Sequence, residues 1–176
     1  MTVRANKPAF NVREKLKSLD YSHVPYEKMP AGSIIQSAST TITTSLILNS
    51  SNNLGVYNDT PMTHTINPKF PNSKLIVNFE FGLLLRDGSV GAALGYGVKR
   101  NGTRVITSNT APHEQFTGEH LVGFRTHYTY VDTTYNSTEP QTYLLEAYLR
   151  APYTGMVAEF NSRTETANVV IYEVKQ

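Results

Sequence analysis

Lys74-Leu75-Ile76-Val77-Asn78-Phe79-Glu80-Phe81-Gly82-Leu83-Leu84-Leu85 is the stretch on which the fold turns. Successive side chains of an extended chain point to opposite sides, so Leu75, Val77, Phe79, Phe81, Leu83 and Leu85 share one face. Asn78 and Glu80 fall on the other. Six apolar residues in strict alternation predict a central strand, packed on one side and at least partly wet on the other, as in an antiparallel sheet.

The same period extends in both directions. Residues 40–48 are β-branched and Thr-rich and predict a strand. Residues 92–100 and 103–108 flank Asn101-Gly102, a pair that supplies the positive φ angles of a type I′ hairpin turn. Residues 120–132 predict a long strand, and the polar stretch 133–140 follows it as a loop. Tyr143, Leu145, Ala147 and Leu149 alternate within 141–150, and Val169 and Ile171 face one way within 167–175. Residues 49–61 are expected to form a long loop. Roughly eight to ten short strands with no helical crossover describe an all-β fold, an antiparallel jelly-roll-like β-sandwich.

A chain of 176 residues is long enough for one real core and short for two. The division expected is an anchor arm and linker over residues 1–30 and a sandwich body over 31–176. Charged residues make up 17%, below the roughly 25% usual for soluble proteins, and Thr, Ser, Asn and Tyr take their place, as suits wet-faced strands and polar loops. Residues 1–30 hold six Lys/Arg against three acids, while 31–176 hold ten against eleven. The near-neutral body lacks the basic patch that binding to nucleic acid needs, so none is expected as a partner. Absence of cysteine excludes disulfides, thiol nucleophiles and cysteine-ligated zinc, and agrees with assembly in a reducing cytoplasm. No apolar stretch opens the chain, so no signal peptide is expected, and no window of eighteen apolar residues predicts a membrane span.

One segment reads as helix. Asn11 is a candidate N-cap with Glu14 three residues on, and Val12, Leu16 and Leu19 recur at helical spacing. About ten residues of helix are marginal alone in water, so the stripe must pack on something. Pro25 and Pro30 then make 21–30 an extended linker. Phe10, Val12, Leu16 and Leu19, with Arg13, Lys15 and Lys17 beside them, are the candidate partner-docking residues. The closing strand runs almost to Gln176, so no C-terminal arm is expected.

Catalytic patterns fail on spacing. His113-Glu114-Gln115-Phe116-Thr117 lacks the second histidine of a zinc-protease motif, and His120 and His127, seven residues apart on one strand, point to opposite faces. Asp87-Gly88-Ser89-Val90-Gly91 misses the spacing of a nucleophile elbow and no helix follows it. Gly95-Tyr96-Gly97 lacks the third glycine of a dinucleotide site and suits a bulge or a close backbone approach. Glu114, Glu119 and Glu139 form a glycosidase pair only if two of them meet in a cleft. The chain is therefore expected to be no enzyme, with no catalytic residue, metal or cofactor. Tyr128, Tyr130, Tyr135, Tyr143, Tyr148 and Tyr153 are candidates for packing, subunit contact or contact with a host glycan, since tyrosine offers rigid area with a polar tip.

Four short marks carry a family resemblance. Met29-Pro30-Ala31-Gly32-Ser33-Ile34-Ile35-Gln36 resembles a junction found in virion proteins of tailed bacteriophages, particularly marine and cyanobacterial ones, where it opens a Thr-rich strand. Pro71-Asn72-Ser73-Lys74-Leu75-Ile76-Val77 is similar to their entry into the main strand. Arg100-Asn101-Gly102-Thr103 and the closing Asn168-Val169-Val170-Ile171-Tyr172-Glu173 follow in the family's order. Phe10-Asn11-Val12-Arg13-Glu14-Lys15-Leu16 also resembles the leader of some short phage appendage proteins. The resemblance implies a jelly-roll-like module, commonly trimeric, at fibre tips or on virion surfaces, and no catalytic residue. The function expected is a virion structural protein: a fibre, appendage or knob subunit docked on a capsid, neck or tail component through its arm and assembled with sister copies. The alternatives are a capsid decoration or cement protein and a host carbohydrate-binding module.

Overall fold

The computed structural model describes residues 25–86, 92–106, 114–116, 121–150, 155–162 and 165–176. A 3-10 turn at Tyr26–Lys28 precedes β1 (Ile34–Ile42), β2 (Leu46–Asn49), one turn of helix α1 (Ser50–Asn53), β3 (Tyr57–Ile66), β4 (Lys74–Arg86) and β5 (Ala92–Arg100). Then come β6 (Thr103–Ile106), β7 (Glu114–Phe116), β8 (Leu121–Asp132), β9 (Gln141–Leu149), β10 (Val157–Phe160) and β11 (Ala167–Val174).

The named strands of the described residues pair antiparallel and fall into two sheets. In sheet A, β8 runs along one edge of β4, while β11 and β10 share the other edge, and β1 and β2 lie beyond them. In sheet B, β3 pairs with β9, β9 with β5, and β6 and β7 share the far edge of β5. With β1–β2, β6–β7 and β10–β11 each taken as one line, the described residues form four strand lines per sheet. In chain order the first line pairs with the eighth, the second with the seventh, the third with the sixth and the fourth with the fifth. That nesting is the wiring of a jelly roll, a long hairpin wrapped into two facing sheets.

The core follows the period-2 reading. Leu75, Val77, Phe79, Phe81, Leu83 and Leu85 are all buried, facing Tyr143, Leu145, Ala147 and Leu149 of β9 and Leu94, Tyr96 and Val98 of β5. Each fully buried residue of this kind stabilises the fold by about 1.5–3 kcal/mol relative to exposure. Phe81 anchors the middle, edge-on to Tyr96 and tilted against Phe160, with both ring centroids 5.6 Å away. The Asn101-Gly102 turn has φ of 50° and 79°, as a type I′ hairpin requires.

Two expectations need correction. Residues 40–48 are not one strand: the line breaks at 43–45, opposite the break at 161–166 in its neighbour. Asn161 stitches the gap from a left-handed conformation (φ 51°), its N–H donating to the Gly82 carbonyl and its carboxamide to the Thr44 carbonyl. Residues 49–61 are not a long loop either, because they hold α1 and the start of β3. Asn49 caps α1 by accepting from the Asn52 N–H. Pro61, which disguised the strand, sits in a register shift between Asp59 and Thr63 on the edge of sheet B, where its missing N–H costs least. Thr60 covers the irregularity, donating to the Leu145 carbonyl and accepting from the Met62 N–H.

Gly97 fills the close-approach role expected of Gly95-Tyr96-Gly97. A Cβ there would lie 2.9 Å from Tyr57 Cε1 and 3.2 Å from the Ile106 carbonyl oxygen, which is backbone and cannot swing away. Gly82 is the contrast: its Cβ would meet only Glu165, an exposed and flexible side chain. Gly97→Ala is therefore expected to cost about 1–3 kcal/mol in urea unfolding, and Gly82→Ala well under that. Equal costs would contradict this account of the two positions.

Candidate functional site

All four motif marks converge on one end of the sandwich. The connections 67–73, 101–102 and 133–140, the start of β1 and the end of β11 meet there, where the chain enters from residue 25. Glu173, fully buried on β11, accepts from the backbone N–H groups of Lys69 and Phe70 and from the Gln36 carboxamide at 2.7 Å. Gln36 also donates to the Asn67 carbonyl. The junction mark and the closing mark are thus in direct contact, and together they tie down the connection that leads into β4.

Asp132 is the second buried carboxylate of this end, opposite Leu75 on the β8 side as Glu173 is on the β11 side. It accepts from the Tyr143 hydroxyl and the Arg100 guanidinium at 2.7 Å each, and from the Thr134 N–H and hydroxyl at 2.8 Å. Burial alone would raise the Asp132 carboxyl, but these bonds outweigh it and hold it below its ordinary value. Burial, reinforced by the Asp132 carboxylate, pushes the Tyr143 phenol far up. Burial also pushes Tyr135 up to about 12. Asn101 completes the frame: its N–H donates to the Thr142 carbonyl, its side chain accepts from the Thr142 N–H and donates to Gln141. A polar pocket of about 360 Å³ opens here, lined by Arg100, Asn101, Thr134, Tyr135, Asn136 and Gln141 among others.

The incoming chain is clasped to this frame. Tyr26 stacks on Phe70 with ring centroids 3.8 Å apart, and the Lys175 ammonium donates to the carbonyls of Tyr26 and Met29 at 2.7 and 2.6 Å. Gly32 N–H donates to the Lys175 carbonyl and Lys175 N–H to the Ser33 carbonyl. The described part of the expected linker is therefore held against the body, with one turn of 3-10 helix instead of a fully extended path. Phe10, Val12, Arg13, Lys15, Leu16, Lys17 and Leu19 lie outside the described residues.

The tyrosine candidates divide. Tyr143 is fully buried and Tyr135 nearly so, as the packing reading requires. Tyr128 and Tyr130 face the inner side of sheet A, half-buried against Tyr96 and Tyr143. Tyr148 lies on the outer face of sheet B beside Tyr57, with ring centroids 4.9 Å apart. Tyr153 lies outside the described residues. Sequence reasoning missed the ionic cluster on that same outer face: buried Glu146 takes a bidentate bond from Arg104, which also lies 4.0 Å over the Tyr57 ring, and Lys99 bridges Glu146 and Asp59. The pair Gly95 and Gly97 stands opposite Tyr148 and Glu146 on that face, and a side chain at Gly97 would press on Tyr57. His127 is exposed on β8 next to Glu80, while His113 and His120 lie outside the described residues. Among the described residues no cluster of potential metal ligands forms, and no helix is long and apolar enough to cross a membrane.

No protein-family model matches the sequence, and no curated protein matches it. Solved structures that resemble the fold include the VP2 subviral particle of infectious bursal disease virus, at 18% identity and a TM-score of 0.41, over 82% of this chain and 38% of that one. T=1 particles derived from the same virus give 18% identity and a TM-score of 0.43, over 82% and 37%. Dimeric latent PorU from Porphyromonas gingivalis gives 13% identity and a TM-score of 0.34, over 82% and 14%. This chain therefore spans well under half the length of each. Superpositions at this level assign neither a family nor a function.

Proposed function

We propose that this chain is a non-enzymatic structural subunit of a virus particle, a fibre, appendage or knob protein of a tailed phage, assembled in the host cytoplasm. Residues before Pro25 dock on a capsid, neck or tail component, and the jelly-roll body associates with two sister copies. The observation that carries this reading is the build of the end where the chain enters. Two buried carboxylates brace that end, and a stacked tyrosine and a lysine clasp hold Tyr26 and Met29 against the body. The four motif marks that resemble phage virion proteins lie at that same end, which supports this reading. A trimer would hold three weak anchors at high effective concentration, so modest contacts per arm suffice.

Light scattering on the purified protein is expected to give three times the 19.6 kDa chain mass. A stable monomer at micromolar concentration would count against the trimer. Copy number in purified particles separates this reading from a cement protein: discrete positions at low copy number fit a fibre, and lattice-wide occupancy fits decoration.

A further inference from the structure

We propose that the outer face of sheet A carries a groove for a neutral saccharide, built on Asn78, Glu80, His127, Asn168 and Tyr172. The groove is about 340 Å³, and Thr129 and Val170 complete its lining. It lies across β8, β4 and β11, on the side of the sheet turned away from the core.

The chemistry of the lining selects the ligand class. A single aliphatic residue, Val170, offers too little apolar surface for a lipid or a drug-like molecule, whose pockets are mostly apolar. Phosphate and other anions would face the Glu80 carboxylate, while the nearest guanidinium, Arg125, is committed to Glu80 at 2.6 Å. A metal would find one carboxylate already engaged and one histidine. Hydroxyl groups, by contrast, each donate and accept, and carboxamides, a carboxylate, an imidazole and hydroxyls on one surface match that dual need. Tyr172 supplies a ring edge or face for the C–H side of a sugar.

Pre-organisation distinguishes this surface from an ordinary solvated sheet face. Thr41 donates to the Asn168 carboxamide oxygen at 3.0 Å, and Asn168 stands directly opposite Glu80 across β11 and β4. Glu80 is held from the other side by Arg125, which reaches on to the Thr166 carbonyl. Thr129 donates to the Asn78 carboxamide oxygen at 2.8 Å and so fixes the plane of that carboxamide in the groove lining. Four strands thus fix the orientation of the three planar groups before any ligand arrives, and that lowers the entropic cost of binding. The inference does not depend on how the arm docks.

The test is an array of neutral mono- to tetrasaccharides of glucose, galactose, mannose and their N-acetyl derivatives, probed with the full chain. It is followed by calorimetry with the strongest binder on wild type, Asn78→Ala, Tyr172→Ala and, on the opposite sheet, Thr65→Ala. The expected result is saturable binding that weakens about tenfold in Asn78→Ala and Tyr172→Ala, is unchanged in Thr65→Ala, and occurs with melting temperatures unaltered. Glu80→Gln keeps the shape of the groove and is expected to weaken binding in the same direction. Absence of binding to every neutral saccharide, preference for sulfated or sialylated glycans, or binding indifferent to the groove variants would each overturn the proposal.

Discussion

Replacing Asp132 with alanine is expected to destabilise the fold by about 3 kcal/mol. Removing one partner of a buried charge pair usually costs about 3–5 kcal/mol, because the other is left uncompensated. The lower end applies because the Arg100 side chain is 23% exposed and can be rehydrated. Tyr143 has no such escape: its hydroxyl is buried and loses its acceptor, as does the Thr134 N–H. For a chain of this size the melting temperature should fall by about 6–12 °C. The pH dependence gives an independent check. The Asp132 carboxyl is held below its ordinary value in the folded state, so its contribution is fully present above the unfolded value of about 3.9. It disappears as pH falls through the folded value. Wild type and Asp132→Ala should therefore converge in stability at strongly acidic pH and differ most near neutrality. A pH-independent difference would show that Asp132 acts through shape alone.

Leu16→Asp is expected to abolish incorporation into particles while leaving the melting of the free protein unchanged. In the helix expected from sequence, Phe10, Val12, Leu16 and Leu19 would form a stripe that a merely solubilising tail would not need, and ten residues are too few to fold alone. Ordering such a segment on a partner costs conformational entropy, which the buried stripe and Arg13, Lys15 and Lys17 must offset. An aspartate at position 16 places a charge in the middle of the stripe, where docking would have to desolvate it. If the proposed contact forms only in the assembled state, circular dichroism of the free protein should not register the change.

The central strand was legible because its alternation is long and one face is wholly apolar: all six inward residues named from sequence are buried. The hairpin at Asn101-Gly102 was legible for a different reason, a local backbone demand that few residue pairs meet. Strand β3 was hidden by Pro61 and by the Asn, Asp and Gly around it, since a bulge on an edge strand tolerates residues that elsewhere signal a loop. Strand β10 offers only four residues, too few for a period to register. The candidate site was half legible. Gln36 and Glu173 stood out as parts of motifs, yet their contact spans 137 residues and no local rule predicts it. Asp132 and Glu146 were not singled out, because burial of a carboxylate is set by partners that arrive from other strands. Tyr143 was named for packing, subunit contact or glycan contact alike, while its place in the alternation with Leu145 and Leu149 already favoured the core.

The most direct test of the account is to delete residues 1–24 and ask whether the remainder joins the particle. The cut is placed before Pro25 because Tyr26 and Met29 are clasped by Phe70 and Lys175, so a later cut would damage the body itself. Quantitative mass spectrometry of particles purified from cells that make the truncated chain would provide the reading. The account predicts a β-rich body with the oligomeric state and melting temperature of the full chain, missing from the particles. Normal incorporation of the truncated chain, or its failure to fold, would contradict the division into a docking arm and an independent jelly-roll body.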